Sequence, residues 1–217
     1  AIQLMVIEPD FLLDTTSVTG CIKGWGESAF NHFIDKFKPM ESTVYTLLGD
    51  FANQFLDDIL NLPDADYLAS MHKVFADRAI DICACKEIKA SFFDETKRQF
   101  ANIQQVVQEL TQQPYMHQGK VIIHIEPSFF CEALGLQGRM DFLQMDEKIL
   151  IEQKSGKGGY PQIDPDTPRE QQKHYVQLFL YMLLLRYNNR KQYELNKHNV
   201  YCFLFYSRYS NGLIQHS

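Results

Sequence analysis

Little in this chain would staple it or anchor it from outside. Its five cysteines, Cys21, Cys83, Cys85, Cys131 and Cys202, are odd in number and scattered, and no two stand as a C-x-x-C pair. That pattern excludes a disulfide framework and a zinc-finger ligand set, and it predicts reduced thiols in a cytoplasmic setting. No apolar run reaches the length of a membrane span; the longest, over residues 176–185, is short and carries Gln177. No signal-peptide pattern occurs, and the opening AIQLMVIEPD has no initiating Met, which reads as one module of a larger protein. Common enzyme signatures are missing too. Residues 155–159 (SGKGG) lack the G-x-x-x-x-G-K-[ST] spacing of a P-loop, and neither a nucleophile elbow nor HExxH is found. Without repeats or low-complexity linkers, residues 1–217 read as one domain with a sizeable core.

Positive charge is in deficit overall, with 21 Lys and Arg against 27 Asp and Glu and a net charge of −6. This argues weakly against a nucleic-acid partner, but the charge is unevenly spread. Residues 148–208 hold ten Lys and Arg against five Asp and Glu, so the C-terminal part is the basic part.

Hydrophobic spacing divides the chain into a helical part over residues 1–115 and a sheet-and-helix part over 120–208. A helix is predicted from about Glu27 to just before Pro39. A second opens at Ser42-Thr43, carries Leu48, Phe51, Phe55, Ile59 and Leu62 at helical spacing, and stops at Pro63. Two more follow over 64–90 and 91–113. The texture then changes: 121–126 reads as a strand, 127–134 as a loop or bulge, and Gly135 and Gly138 lead into a hairpin. After a long Gly- and Pro-containing loop over 156–168, residues 169–187 read as a helix apolar on most sides and therefore buried. Residues 200–206 form a last, nearly continuous apolar strand, as in a sheet covered on both faces.

The hairpin organises the rest. Residues 139–145 and 148–154 read as two strands joined at Asp146-Glu147. Centring the turn there sets Asp141 directly opposite Glu152 and Arg139 opposite Lys154, with Glu152 and Lys154 on one face. Facing carboxylates, roughly 4.5–5.5 Å apart at Cβ, repel each other. Something positive must offset them: a divalent metal, for which hard oxygen ligands suit Mg²⁺ or Mn²⁺, or the neighbouring Lys154 and Arg139. A surface hairpin with solvated charges is the plainer alternative, against which Phe142, Ile149 and Ile151 argue for strands at least half buried. On the 169–187 helix, His174, Gln177 and Tyr181 share a stripe. The stripe either lines a wet pocket or is ordinary packing, with Tyr as a hydrophobe and Gln bonded to backbone.

Taken together, GLQGRMD (135–141), IEQKSG (151–156) and H-x-x-Q-x-x-x-Y (His174, Gln177, Tyr181) resemble the RecB-type branch of the PD-(D/E)XK nuclease superfamily. Within it they most nearly resemble the nuclease domains of replication and repair helicase–nucleases and of CRISPR-associated exonucleases. The resemblance implies an α/β, restriction-endonuclease-like core (helix, three strands, helix, strand) with a small mixed sheet from about 42 to 208, preceded by additional N-terminal helices. It implies a divalent-metal-dependent DNA nuclease acting on single strands or DNA ends in repair or replication. The alternative is a degenerate nuclease fold serving as a DNA-binding or helicase-docking module. It also implies a helicase motor in the same or another chain, and no membrane.

By the same resemblance, Asp141 and Glu152 would hold Mg²⁺ or Mn²⁺ together with the backbone carbonyl of Gln153. Lys154 would orient or help deprotonate the attacking water. His174, Gln177 and Tyr181 would sit near the DNA phosphate or steady the catalytic groups. Two departures stand out. The branch usually carries a helical G-x-x-x-H histidine as a further metal ligand, and here Asn53, four residues after Gly49, takes its place; it would offer a carbonyl oxygen to Mg²⁺ or serve only in packing or capping. Relatives with a four-cysteine iron–sulfur cluster have a C-terminal cysteine trio that is absent here, so no cluster is expected. Glu126, at the end of its strand, is either an extra acid near the site or an exposed edge residue.

Overall fold

A computed structural model describes residues 11–39, 42–62, 64–112, 123–144, 149–156, 168–188 and 201–216, the side chains of 168–171 excepted. The chain opens with two-residue strands and short helices: β1 (Leu13–Asp14), α1 (Thr15–Gly20), β2 (Ile22–Lys23), β3 (Gly26–Glu27) and α2 (Phe30–Phe37). Of these only α2 was legible in the sequence, and it starts three residues later than Glu27. Three long helices follow, α3 (Val44–Asn61), α4 (Tyr67–Ala84) and α5 (Ala90–Thr111). The start of α3 is fixed by a capping box. Thr43 Oγ1 accepts from the Thr46 N–H at 3.2 Å, and Thr46 Oγ1 accepts from the Thr43 N–H at 2.8 Å. Helical spacing then puts Leu48, Phe51 and Phe55 on one buried face. Phe55 meets Phe100 of α5 edge-on with ring centroids 5.2 Å apart, and Phe51 meets Phe92 at 5.5 Å. Each such buried ring contributes about 1.5–3 kcal/mol by removal from water.

These helices cover one face of a five-stranded mixed sheet, in the order β10-β9-β8-β7-β4. Its members are β4 (Ile123–Ile125), β7 (Phe142–Gln144), β8 (Ile149–Lys154), β9 (Tyr201–Tyr206) and β10 (Leu213–His216). Within this sheet only β8 and β9, among the described strands, run parallel; α6 (Pro168–Asn188) lies between them in sequence and packs on the other face. This is the mixed α/β architecture of a restriction-endonuclease-like core. Beside it, β5 (Ser128–Cys131) pairs with β6 (Leu136–Arg139), and β6 in turn with β1, in a small second sheet. Alternation along β7, β8 and β9 sorts the core into two layers. Phe142, Ile149, Ile151, Phe203 and Phe205 face the long helices, while Leu143, Leu150, Leu204 and Tyr206 face α6.

Several expectations need correction. Residues 128–131, expected within a loop, form a strand followed by a 3₁₀ turn (Glu132–Leu134). Their alternation is hidden because Phe129 and Phe130 are both apolar yet face opposite sides. The strand β10 was not anticipated, since Leu213–His216 is too short to show a period. Helix α6 is not buried on most sides: Phe179, Met182 and Tyr175 are exposed, and among its described side chains only the stripe through Gln177, Leu178, Tyr181, Leu184 and Leu185 is sealed. The expected hairpin turn at 146–147, most of the 156–168 loop, residues 121–122 and residue 200 lie outside the described residues.

Candidate active site

The ladder between β7 and β8 pairs Phe142 with Ile151, Leu143 with Leu150 and Gln144 with Ile149. That is the register expected from a two-residue turn at 146–147, and one step further it sets Asp141 across from Glu152. Asp141 itself sits where the strand leaves the sheet. Its carboxylate accepts a 2.7 Å bond from the Gln153 N–H, and its carbonyl accepts from the Glu126 N–H at 3.1 Å. Arg139 does not continue the ladder to Lys154. The chain bends at Met140-Asp141 and again at Glu126-Pro127, so Arg139 pairs with Ser128 in the small sheet, its guanidinium 3.1 Å from the Glu126 carboxylate. Glu126 holds φ at +50°, in the left-handed region that a non-glycine residue occupies only under constraint.

Glu152 is almost wholly buried. Lys154 Nζ lies 2.6 Å from Glu152 Oε1 and donates at 2.9 Å to Gln177 Oε1. Gln177 Nε2 donates to Tyr181 Oη at 2.9 Å, and Tyr181 Oη donates at 2.8 Å to the carbonyl of Arg139. The polar stripe of α6 is therefore a directed chain of donors running from the ammonium to the strand that carries Asp141. Its closeness depends on Gly138: a Cβ there would stand 2.8 Å from Tyr181 Cε1 and from Thr15 Oγ1. His174, one turn before Gln177, holds Nδ1 2.9 Å from Tyr206 Oη. Burial, followed by the charges of Lys154 and Lys173, pushes His174 down to about 3, so its imidazole is neutral at physiological pH.

Electrostatics single out the acid pair. Burial first, then the nearby Asp141 charge, push Glu152 up to about 8. Asp141 is raised by burial as well, against the pull of Lys154 and the Gln153 N–H. With Lys154 cationic, two ionised carboxylates would leave a net buried negative charge, so the metal-free pair retains a proton. Glu152 Oε2 is buried and meets no hydrogen-bond donor outside the acid pair itself. Such an orphan oxygen beside a second carboxylate is the donor set that a hard divalent cation satisfies. Among the described residues no three His, Cys, Asp or Glu converge on one point, so amide or water oxygens would complete the shell.

Asp141 also opens onto a cleft of about 350 Å³ between α3, α4 and the bend, lined by Asp50, Asn53, Asp57, Asp77, Arg78, Glu126 and Arg139 among others. The structure thus sets Asn53 and Glu126 in the same cleft as Asp141. It holds Glu152, Lys154, Gln177 and Tyr181 on the α6 side, with His174 at their edge. The Gln153 side chain is buried with both amide atoms unpartnered, and by alternation it faces the long helices, away from Glu152.

Sequence reasoning missed a second support. The Lys154 carbonyl accepts from the Ser207 N–H at 3.0 Å; Ser207 Oγ donates to Gln99 Oε1 at 2.9 Å, and Asn102 Nδ2 donates to the Ser207 carbonyl at 2.9 Å. All three side chains are buried. Together they fasten the ends of β8 and β9 to α5 just where Lys154 is presented. The Gln-rich face of that helix was the only available signal.

Residues 47–210 match the family model described as the PD-(D/E)XK nuclease superfamily. No curated protein matches the chain at a significant level.

Proposed function

The chain belongs to the PD-(D/E)XK nuclease superfamily, and on that premise we propose that it is a Mg²⁺- or Mn²⁺-dependent deoxyribonuclease of the RecB type, cutting single strands or DNA ends in repair or replication beside a helicase motor. One observation supports this above others: half-buried Asp141 faces almost wholly buried Glu152, whose Oε2 meets no donor outside the pair while its Oε1 lies 2.6 Å from a lysine that is itself held by Gln177. Asp141 and Glu152 would hold the ion, with the Gln153 carbonyl as a further oxygen ligand. The ion, when bound, lowers the pKa of a water and offsets the charge that builds on the phosphate. Lys154 orients the attacking water and places a fixed positive charge beside the scissile phosphate. Gln177 and Tyr181 restrict the ammonium to that position, and neutral His174 adds no competing charge.

The test is digestion of a labelled single strand by the wild type and by Glu152→Gln and Lys154→Ala, with Mn²⁺ binding followed by electron paramagnetic resonance. Removing Lys154 should slow cleavage about 10²–10³-fold, the usual loss for one positioned electrostatic group. Equal digestion by all three proteins overturns the assignment. A second reading, a DNA-binding module without catalysis, is favoured by Asn53, which gives the cleft only a weak amide donor. It predicts salt-sensitive binding with no cleavage under either ion.

A further inference from the structure

We propose that the open face of the small sheet is the track along which a single DNA strand reaches the acid pair, with Phe130 stacking a base and Arg139 contacting the adjoining phosphate. The inference rests on the nuclease reading and names a substrate subsite within it.

Alternation on β5 and β6 divides this sheet cleanly. Phe129, Cys131 and Leu136 pack toward α6, and Gly138 lies against Tyr181. The other set, Ser128, Phe130, Gln137 and Arg139, is exposed. The register pairs Ser128 with Arg139 and Phe130 with Gln137, so these four make one contiguous patch. A single exposed phenylalanine is ordinary on a protein surface. This one is 63 % exposed, lies diagonally from Arg139, roughly 7–8 Å away by sheet geometry, and Arg139 also lines the cleft that holds Asp141. The patch is therefore continuous with the site.

Charge favours this approach over the helical wall. On that side Asp50, Asp57 and Asp77 face the cleft, among the described residues Arg78 alone offsets them, and Arg78 is already 3.0 Å from Asp50. On the sheet side, Arg139 meets Glu126 through one nitrogen and is 61 % exposed, leaving donors of its planar fork for a phosphate. The Asp14 carboxylate, on the neighbouring strand, is turned to cap α1, accepting from the Thr16 N–H and hydroxyl. Stacking on a phenylalanine requires a base that is not paired within a duplex, so the patch selects single strands.

The experiment measures binding of fluorescein-labelled dT12 to the whole chain by anisotropy in EDTA, where no cleavage occurs, with a blunt duplex of the same length as comparison. Phe130→Ala should weaken dT12 binding roughly 5- to 100-fold, as loss of a base-stacking ring does, while Phe130→Trp keeps it. Arg139→Gln should reduce the salt slope by about one. Because Phe130 is exposed, its two variants should melt with the wild type. Unchanged dT12 affinity in Phe130→Ala, or stronger binding of the duplex, overturns the track while leaving the nuclease assignment standing if the wild type cleaves. Absence of both binding and cleavage in the wild type overturns both.

Discussion

In the metal-free protein, replacing Glu152 with Gln should raise stability, and the gain should grow with pH. The folded carboxyl is held up to about 8, chiefly by burial and then by Asp141, whereas in the unfolded chain it ionises near its ordinary value of 4.5. Between these values the folded state binds the proton and the unfolded state has released it. Stability is therefore lost as pH rises through the window, by about 1.4 kcal/mol per unit. At pH 7 that amounts to about 3 kcal/mol. Glutamine is a neutral isostere and carries no such linkage, and Lys154 keeps its bond to Gln177 Oε1. The two proteins should match near pH 5 and diverge by roughly 6–12 °C in Tm at pH 7, taking about 2–4 °C per kcal/mol for a chain of this size. The lowered His174 acts in the opposite sense, removing stability as pH falls below 6.5, but it is common to both proteins and cancels in the difference. The assay is thermal unfolding by circular dichroism from pH 5 to 8 in EDTA, repeated with Mg²⁺, which should stabilise the wild type alone. Parallel pH profiles, or a Gln variant less stable at pH 7.5, would mean that Glu152 is ionised and held by Lys154, and the proton-sharing pair would have to be abandoned.

Further outcomes follow from the same geometry. Tyr181→Phe removes the donor to the Arg139 carbonyl and leaves Gln177 Nε2 without its acceptor; urea unfolding should register a loss of about 1–3 kcal/mol. Gly138→Ala forces a methyl group to 2.8 Å from the Tyr181 ring and should lose about 1–3 kcal/mol, with cleavage falling as Tyr181 is displaced; wild-type activity in that variant would refute the close packing. Asn53→His places an imidazole in the Asp141 cleft and should raise affinity for Mn²⁺ more than for Mg²⁺, read by calorimetry.

What the sequence disclosed and what it hid have physical causes. The turn position expected at 146–147, together with strict period-2 alternation, predicts the register, so the partnership of Asp141 with Glu152 was legible. Helical spacing likewise put Gln177 and Tyr181 on one stripe, and Ser42-Thr43 announced α3. The bends at Glu126-Pro127 and Met140-Asp141 were not legible. They send each strand from one sheet into the other and pull Arg139 away from Lys154, a tertiary choice that no local pattern encodes. Gln99 and Asn102 meet Ser207 across more than a hundred residues, beyond the reach of any periodicity. Gly138 read only as a lead-in to the hairpin, and its role is to let the Tyr181 ring approach the strand.

The links around Asp141 close on themselves. From its carboxylate the path runs through the Gln153 amide to Lys154, across Gln177 and Tyr181 to Arg139, and back along two peptide units to its starting point. A triangulated truss behaves this way: each member is modest, and severing any one converts a rigid frame into an open linkage. Gln177 and Tyr181 should accordingly be equivalent under substitution, with the double variant little worse than either single one.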